Sequence, residues 1–188
     1  RAAIYAENVV YDVNASLRRA ISLTLEDNTV FSNNDRAIAI CDTRIAIGDN
    51  AIFSGNRDDT EKDGGGAIWC RNGGIIIGDN ALFSGNYVDM DSRDSWGGVF
   101  LDDMGGSTIT VGENAIFIGN YVSSNSGCAT GGVMWVRKYG LYDNVKDTGA
   151  ISMGANATFI NNYAFSDSGN SFGGVICSDA DISFSDGA

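Results

Sequence analysis

Short runs of alternating apolar and polar residues recur along the chain, and most of them end at Gly, Asn or Asp. In the clearest runs two large apolar residues flank a small or polar one, as in Ile45-Ala46-Ile47 and Ile109-Thr110-Val111. A period of two predicts β-strands with one buried face. Helical spacing fails throughout, and Gly or Asn interrupts the pattern every few residues. The pattern therefore predicts an all-β chain.

Two phrases repeat along the sequence. The first runs through Ile-x-Ile to Phe-x-x-Asn, with clear copies at 45–56, 75–86 and 109–120 and looser copies at 3–14, 23–34 and 151–162. The second is a Gly pair followed by two apolar residues, at 65–68, 97–100, 131–134 and 173–176, with a degenerate copy at 35–38. The interval between copies grows along the chain, and we attribute the growth to loops between Phe-x-x-Asn and the next Gly pair.

Three strand-like runs per repeat, with no helix between them, predict a parallel β-helix. We expect about six coils of three short strands, with the loops growing from one corner, and residues 1–188 forming a single segment. Pro would remove a hydrogen-bond donor from strands that are paired on both sides, which explains why the chain contains 0 Pro.

Two columns of side chains would hold such coils together. The Phe of each phrase would stack in the interior, with Tyr11 at the start of the column, and the Asn would occupy a corner where its amide bonds the coils above and below. The predicted structural ladder is Phe31, Phe53, Phe83, Phe117 and Phe159 together with Asn34, Asn56, Asn86, Asn120 and Asn162.

The combination of Gly-Gly-Ala-Ile (65–68) with repeated Phe-x-x-Asn resembles the polymorphic outer membrane protein repeats of chlamydial surface proteins. The resemblance spans nearly the whole chain. It implies a right-handed β-helix at the cell surface, often part of a passenger or stalk, with adhesion as the usual role. Val replaces Ala in the later Gly-pair motifs, and Asp35-Arg36 lacks the Gly pair altogether.

Composition excludes several classes of function. With 0 His the chain has no histidine nucleophile partner, no histidine-ligated zinc and no imidazole acid or base. A net charge of -12 excludes a basic nucleic-acid footprint and would repel polyanionic substrates. No apolar run is long enough for a membrane helix, so we expect no membrane insertion by this segment. We expect no enzymatic activity.

Aromatic residues are the candidate binding residues. Tyr87, Tyr121 and Tyr163 each follow the corner Asn and would line the loop edge, although they could instead cap the interior stack. Trp69 and Trp135 would lie in an outward column after the Gly pairs, where they could stack on sugars or anchor a partner. A second outward strip is aliphatic and consists of Val10, Val30, Ile52, Leu82, Ile116, Ile118 and Ile160. The alternative for both strips is that loops fold over them.

Three further features suggest ligands or modifications. Asp89, Asp91 and Asp94, like the acidic run at 58–63, group oxygen atoms as Ca²⁺ would require, although a solvated acidic loop is the alternative; no cofactor is required. Cys41 with Cys70, and Cys128 with Cys177, could form disulfides in an oxidising compartment, or all four could be buried thiols. Asn14 and Asn156 stand in glycosylation sequons.

These features together predict a non-enzymatic extracellular module of structural or adhesive function, for example a cell-surface adhesin or a surface-fibre component. The alternative is a carbohydrate-binding or polysaccharide-cleaving β-helix that acts through the loop edge. The expected partners are other β-helix segments, end to end or side by side, and a host protein or glycan. Open strand edges at both ends would suit a piece of a longer β-helix or fibre.

Overall fold

The computed structural model describes residues 4–7, 21–58, 64–102, 107–136, 150–178 and 180–187. Within these ranges the chain forms 24 strands, numbered β1 to β24 in chain order, and no helix. Their pairings are all parallel. The predictions on Val10, Tyr11, Asn14 and most of the acidic run at 58–63 lie outside the described residues.

Three sheets stack equivalent strands of successive repeats. The Gly-pair sheet consists of β1 (Ile4–Glu7), β4 (Ile38–Cys41), β8 (Ile68–Arg71), β13 (Phe100–Asp102), β18 (Met134–Val136) and β23 (Ile176–Ser178). The middle sheet consists of β2 (Ile21–Leu25), β5 (Thr43–Ile47), β9 (Gly74–Ile77), β14 (Thr108–Val111), β19 (Ala150–Met153) and β24 (Asp181–Phe184). The Phe sheet consists of β3 (Val30–Ser32), β6 (Ile52–Ser54), β10 (Leu82–Ser84), β15 (Ile116–Ile118) and β20 (Thr158–Ile160).

Alternate side chains of all three sheets form one apolar core. The register aligns like with like, so that Ile45, Ile75, Ile109 and Ile151 make one column of the middle sheet. These four isoleucines are 0 to 1% exposed. The prediction of an all-β chain whose parallel strands stack in sheets is confirmed, and this stacking is consistent with a parallel β-helix.

Two additional sheets lie where loops are expected from the sequence. The Tyr sheet consists of β7 (Arg57–Asp58), β11 (Tyr87–Met90), β16 (Tyr121–Ser124) and β21 (Tyr163–Ser166). The tip sheet consists of β12 (Ser95–Trp96), β17 (Ala129–Thr130) and β22 (Ser171–Phe172). Together they form a lateral projection, here called the arm, with a small core of its own made by Val88, Met90, Val122 and Ala129. Three strands per repeat is therefore too low a number for the later repeats.

The arm reaches a constant length in the last three repeats, which limits the interpretation that the interval grows at this corner. The first Gly pair follows its corner asparagine, Asn56, after only 9 residues. Asn86 to Gly97, Asn120 to Gly131 and Asn162 to Gly173 are all 11 residues apart. The interval between successive corner asparagines nevertheless rises from 34 to 42 residues. The extra residues of the last interval fall within 137–149, between the Gly-pair and middle sheets and outside the described residues. The loops therefore do not all grow from the corner after Asn.

The Gly pair fits the point where the arm rejoins the main stack. Gly97 has φ +57°, a left-handed conformation that glycine adopts without strain. A Cβ on Gly98 would lie 2.7 Å from the carbonyl oxygen of Tyr121 and would also collide with that of Gly132. The arm and the main stack approach each other too closely here for any side chain.

The missing Gly pair at 35–36 coincides with a missing arm, because Asp35 follows the corner residue Asn34 directly. Arg36 instead extends its guanidinium towards β7, the first strand of the Tyr sheet. There it pairs with the buried carboxylate of Asp58 and donates to the carbonyl oxygen of Gly64 at 3.2 Å. Asp58 occupies the same inward column as Val88. The ion pair therefore closes one end of the arm core.

Candidate functional site

The corner asparagines form a hydrogen-bonded ladder inside the structure. The Oδ1 atom of Asn86 accepts from the backbone N of Asn56 at 3.1 Å and from its Nδ2 at 2.9 Å. The Nδ2 atom of Asn86 in turn donates to the carbonyl oxygen of Phe53 at 2.9 Å and to Asn120 Oδ1 at 2.9 Å. Equivalent bonds join Asn34 to Asn56 and Asn120 to Asn162. Asn56, Asn86 and Asn120 are fully buried, so the ladder is part of the scaffold.

The phenylalanines of the repeated phrase stack beside this ladder. Successive ring centroids from Phe31 to Phe159 are 4.7 to 5.1 Å apart, and the ring planes lie within 18° of parallel. Phe53, Phe83 and Phe117 have no solvent exposure. Both predicted columns thus lie inside the structure, where they can stabilise the fold but cannot contact a ligand.

The three tyrosines form a second stack, on the outer face of the Tyr sheet. The ring centroids of Tyr87 and Tyr121 are 5.0 Å apart with an interplanar angle of 5°, and those of Tyr121 and Tyr163 are 5.1 Å apart at 4°. Because the next residues, Val88 and Val122, point into the arm core, the tyrosines do not cap the interior stack. Their ring faces cover one another, and Tyr163 is 47% exposed.

Stacking and partial burial change the acidity of the central ring. Burial raises the pKa of Tyr121, and the neighbouring Tyr87, Tyr163 and Asp89 raise it further. Tyr121 therefore stays a neutral phenol to higher pH than an exposed tyrosine.

The column that contains Trp69 and Trp135 is largely covered. In register it also contains Ala39, Leu101 and Cys177. Ala39 and Leu101 are buried. The Trp135 ring stacks on Trp96 of the tip sheet with centroids 5.3 Å apart, and Arg36 lies 5.7 Å from the centre of the Trp69 ring. The arm thus packs against this strip, and Trp69, Trp96 and Trp135 are each half-buried.

Most of the aliphatic strip, in contrast, is exposed, while Ile52 and Leu82 are half-buried. It lies on the outer face of the Phe sheet, where Val30 is 59% exposed, Ile116 41%, Ile118 38% and Ile160 41%. The ten outward positions of this face carry no charge: Val30, Ser32, Ile52, Ser54, Leu82, Ser84, Ile116, Ile118, Thr158 and Ile160. A chain with a net charge of -12 therefore has one face that is uncharged and carries six aliphatic side chains.

The carboxylates proposed for Ca²⁺ are used instead to join repeats. Asp89 accepts from Ser123 Oγ at 2.5 Å, Asp91 accepts from Asn125 Nδ2 at 2.7 Å, and the Cys128 backbone N donates to Asp94 at 2.7 Å. Over the described ranges no group of three acidic or sulfur side chains converges in a way that could hold a metal ion.

None of the four cysteines forms a disulfide. Cys70 lies opposite Ile40 in register and points into the core, whereas Cys41 lies opposite Arg71 and so takes the other face of the sheet. The predicted pairing of Cys41 with Cys70 is therefore not formed, because alternate strand positions face opposite ways. Cys128 belongs to the turn before the tip sheet, and Cys177 to the Gly-pair sheet.

We expect the Cys70 thiol to react with an aromatic disulfide reagent far more slowly than Cys128 in the native protein. Burial raises the pKa of Cys70 to about 12, above the ordinary value of 9.0. Because the thiolate is the nucleophile, this shift lowers the reactive fraction near neutral pH about a thousandfold. The measurement is the rate of labelling of each cysteine, followed by peptide mapping.

The control for this experiment is labelling in denaturant, where all four thiols should react alike. The same shift makes stability depend on pH. A folded pKa above the unfolded value means that the contribution of this thiol to stability is complete below pH 9.0 and is lost as the pH rises towards about 12. Equal native labelling rates for Cys70 and Cys128 would contradict the burial of Cys70.

The sequon at Asn156 lies on an exposed turn. Asn156 has φ +59°, and its Nδ2 donates to Asn114 Oδ1 at 3.0 Å. Thr158 Oγ1 donates to the carbonyl oxygen of Asn156 at 3.3 Å. Asn156 is exposed, and glycosylation there stays a prediction.

Some surface residues escaped the sequence interpretation. Trp96, Phe165 and Phe172 belong to the arm, and the latter two are 53% and 49% exposed. The signal that could have revealed them is the constant distance from the corner Asn to the Gly pair, which is more typical of a repeated element than of variable loops.

No protein-family model, no curated protein and no solved structure matches the chain. The likeness to chlamydial surface repeats therefore rests on the two repeated phrases alone. In the part of the chain that is described, no helix has the length and hydropathy needed to cross a membrane.

Proposed function

We propose that the chain is a non-enzymatic structural or adhesive module of an extracellular surface, built as a right-handed parallel β-helix of about six coils. Parallel strands in register and interior columns of identical residues support the β-helix. The repeated phrases, similar to those of chlamydial surface proteins, support the handedness and the location. The β-helix supplies a long, regular surface on which adhesion residues can be displayed.

The uncharged face of the Phe sheet is the observation that carries the adhesive part of the proposal. Five strands at a spacing of about 4.8 Å make this face roughly 20 Å long. Contiguous exposed apolar surface of this kind is typical of interaction sites in soluble proteins. Because the rest of the chain is strongly acidic, a negatively charged partner meets the least electrostatic repulsion at this face.

The test uses immobilised extracellular-matrix proteins and a glycan array as probes. A variant with Ile116→Thr, Ile118→Thr and Ile160→Thr keeps β-branched residues on the strands but replaces apolar surface with hydroxyl groups. We expect this variant to lose at least tenfold in affinity for whichever probe the native chain binds. Ile76→Thr is the matched control, because Ile76 is 57% exposed on the middle sheet.

Two results would contradict the proposal. Binding that survives the triple substitution would exclude the aliphatic strip as the adhesive surface. Reproducible release of reducing or unsaturated sugar ends from a polysaccharide would exclude a non-enzymatic role.

Glycan binding by the tyrosines is the second candidate, favoured by their outward position in a regular row. Tyr163 is the most exposed of the three rings, at 47%, because Tyr121 stacks on both neighbours and Tyr87 lies beside Arg57 in register. Tyr163→Ala should therefore abolish array binding if this candidate holds, while the triple Ile→Thr variant should keep it.

A further inference from the structure

The tyrosine stack combines close spacing, near-parallel rings and contact with solvent. The centroid distances of 5.0 and 5.1 Å place each phenol directly beside the next, and the parallel register of the strands fixes this order. The proposed adhesive face uses none of these rings. The interior phenylalanines have the same spacing but no phenol group and no access to solvent.

Neighbouring phenols of this kind have a characteristic oxidative chemistry. A tyrosine that loses one electron and its phenolic proton becomes a phenoxyl radical, whose unpaired electron is shared with the ring carbons ortho to the oxygen. Two such radicals combine through these carbons, and a proton then moves from each ring carbon to each oxygen to restore the phenols. The net change is a new carbon–carbon bond and the loss of two hydrogen atoms.

We propose that Tyr87, Tyr121 and Tyr163 form an oxidative cross-linking site, at which a peroxide acting through a haem peroxidase joins Tyr121 to Tyr87 or to Tyr163 as dityrosine. The peroxide accepts two electrons and two protons and leaves as two molecules of water. A rotation of each exposed ring about its Cβ–Cγ bond brings the ortho carbons together. Because the backbone holds the two rings side by side, coupling within one chain is favoured over coupling between chains.

Such a bond would act as a staple between repeats. It would join residues 34 positions apart for Tyr87 and Tyr121, or 42 apart for Tyr121 and Tyr163. In a chain whose four cysteines form no disulfide, this cross-link would supply covalent reinforcement of the arm. The consequence would be slower opening of the repeats that carry the Tyr sheet.

The experiment treats the dilute, folded chain with hydrogen peroxide and a haem peroxidase. We expect monomeric protein that has lost two hydrogen atoms and shows dityrosine fluorescence, and peptide mapping should place the bond between Tyr121 and one of its neighbours. Oxidation of the stacked Trp96 and Trp135 would add oxygen instead and so is distinguished by mass. The cross-linked chain should have a higher midpoint of thermal unfolding.

Phenylalanine variants provide matched controls, because they keep the stacked ring but lack the phenol. Tyr121→Phe should abolish in-chain dityrosine, Tyr87→Phe should leave only the bond to Tyr163, and Tyr163→Phe only the bond to Tyr87. The proposal would be overturned if Tyr121→Phe kept the in-chain product. It would also be overturned if the native chain cross-linked only between molecules or at other tyrosines.

Discussion

Asn86→Ala is expected to lower the free energy of unfolding by about 4 kcal/mol, because it leaves buried hydrogen-bonding groups without partners. The backbone N and side-chain Nδ2 of Asn56 would lose their shared acceptor, and the carbonyl oxygen of Phe53 would lose a donor. Each buried group left unsatisfied costs about 1 to 3 kcal/mol. Urea denaturation of the native and variant chains measures the difference.

Asn80→Gly is the matched control for this variant. Asn80 also lies in a ladder of asparagines, but it is exposed, accepts a single bond of 3.3 Å from Asn114, and has φ +59°, which glycine adopts readily. We expect a loss of less than about 1 kcal/mol for this change. Equal destabilisation by Asn86→Ala and Asn80→Gly would show that burial of the corner amide does not matter.

Much of the fold could be predicted because the repeated phrase encodes one interior position for each residue. Period-two alternation at Ile45 and Ile47 places both side chains in the core, and Phe-x-x-Asn places Phe53 and Asn56 on the same side of a bend. Equivalent residues of each copy occupy equivalent positions. The position of a residue in a degenerate copy can therefore be predicted from the clearer copies.

The arm could not be predicted in the same way, because its strands are short and several of its interior positions carry small polar residues. In Tyr121-Val122-Ser123-Ser124 a serine occupies a buried position, so that no alternation of large apolar residues is visible. Hydrogen bonds from serine hydroxyl groups to backbone carbonyl oxygens join the repeats of the arm instead. Ser124 Oγ donates to the carbonyl oxygen of Arg93 at 2.6 Å, and Ser166 Oγ donates to that of Gly127 at 2.6 Å. A serine-rich segment therefore resembles a loop in sequence although it is stacked in the structure.

Which outward strip is covered also depends on the arm. Leu101 and Val30 both alternate with interior residues, but the tip sheet lies over the Gly-pair sheet and leaves the Phe sheet open. Covering depends on the direction in which the arm folds, which no local pattern of residues encodes. The sequence therefore identifies both outward strips, and the structure shows which of them is exposed.

The acidic residues have a structural use that their number alone does not reveal. In the turns after the middle sheet, Asp27 Oδ1 accepts from the backbone N of Asp49 at 2.9 Å, and Asp49 Oδ1 accepts from that of Asp79 at 2.9 Å. Asp79 continues the series with Glu113 at 2.7 Å. Carboxylates spaced one repeat apart repel one another, but each bond to a backbone N–H offsets part of this repulsion. The acidic surface and the stacked turns are thus produced by the same residues.

The second large effect is expected for Phe83→Ala, which should also lower the free energy of unfolding by about 4 kcal/mol. Phe83 is fully buried and lies between Phe53 and Phe117, with centroid distances of 5.1 and 4.7 Å, while Phe100 packs against it at a tilt of 60°. Truncation removes the stacking contacts with both neighbouring rings. It also leaves a cavity that cannot close, because the strands around it are paired on both sides. Urea denaturation measures the loss, and hydrogen exchange shows which repeats open.

Position in the stack should determine the size of the loss. Phe159 is only partly buried and stacks on Phe117 alone among the described rings, so Phe159→Ala should cost less than Phe83→Ala. Because each repeat contacts only its neighbours, the accelerated hydrogen exchange in the Phe83 variant should be strongest in the repeats that contain Phe53 and Phe117. Phe165→Ala, at an exposed site on the arm, should change stability by less than about 1 kcal/mol. If truncation at Phe83 and Phe165 cost the same, the interior stack would not be what holds the repeats together.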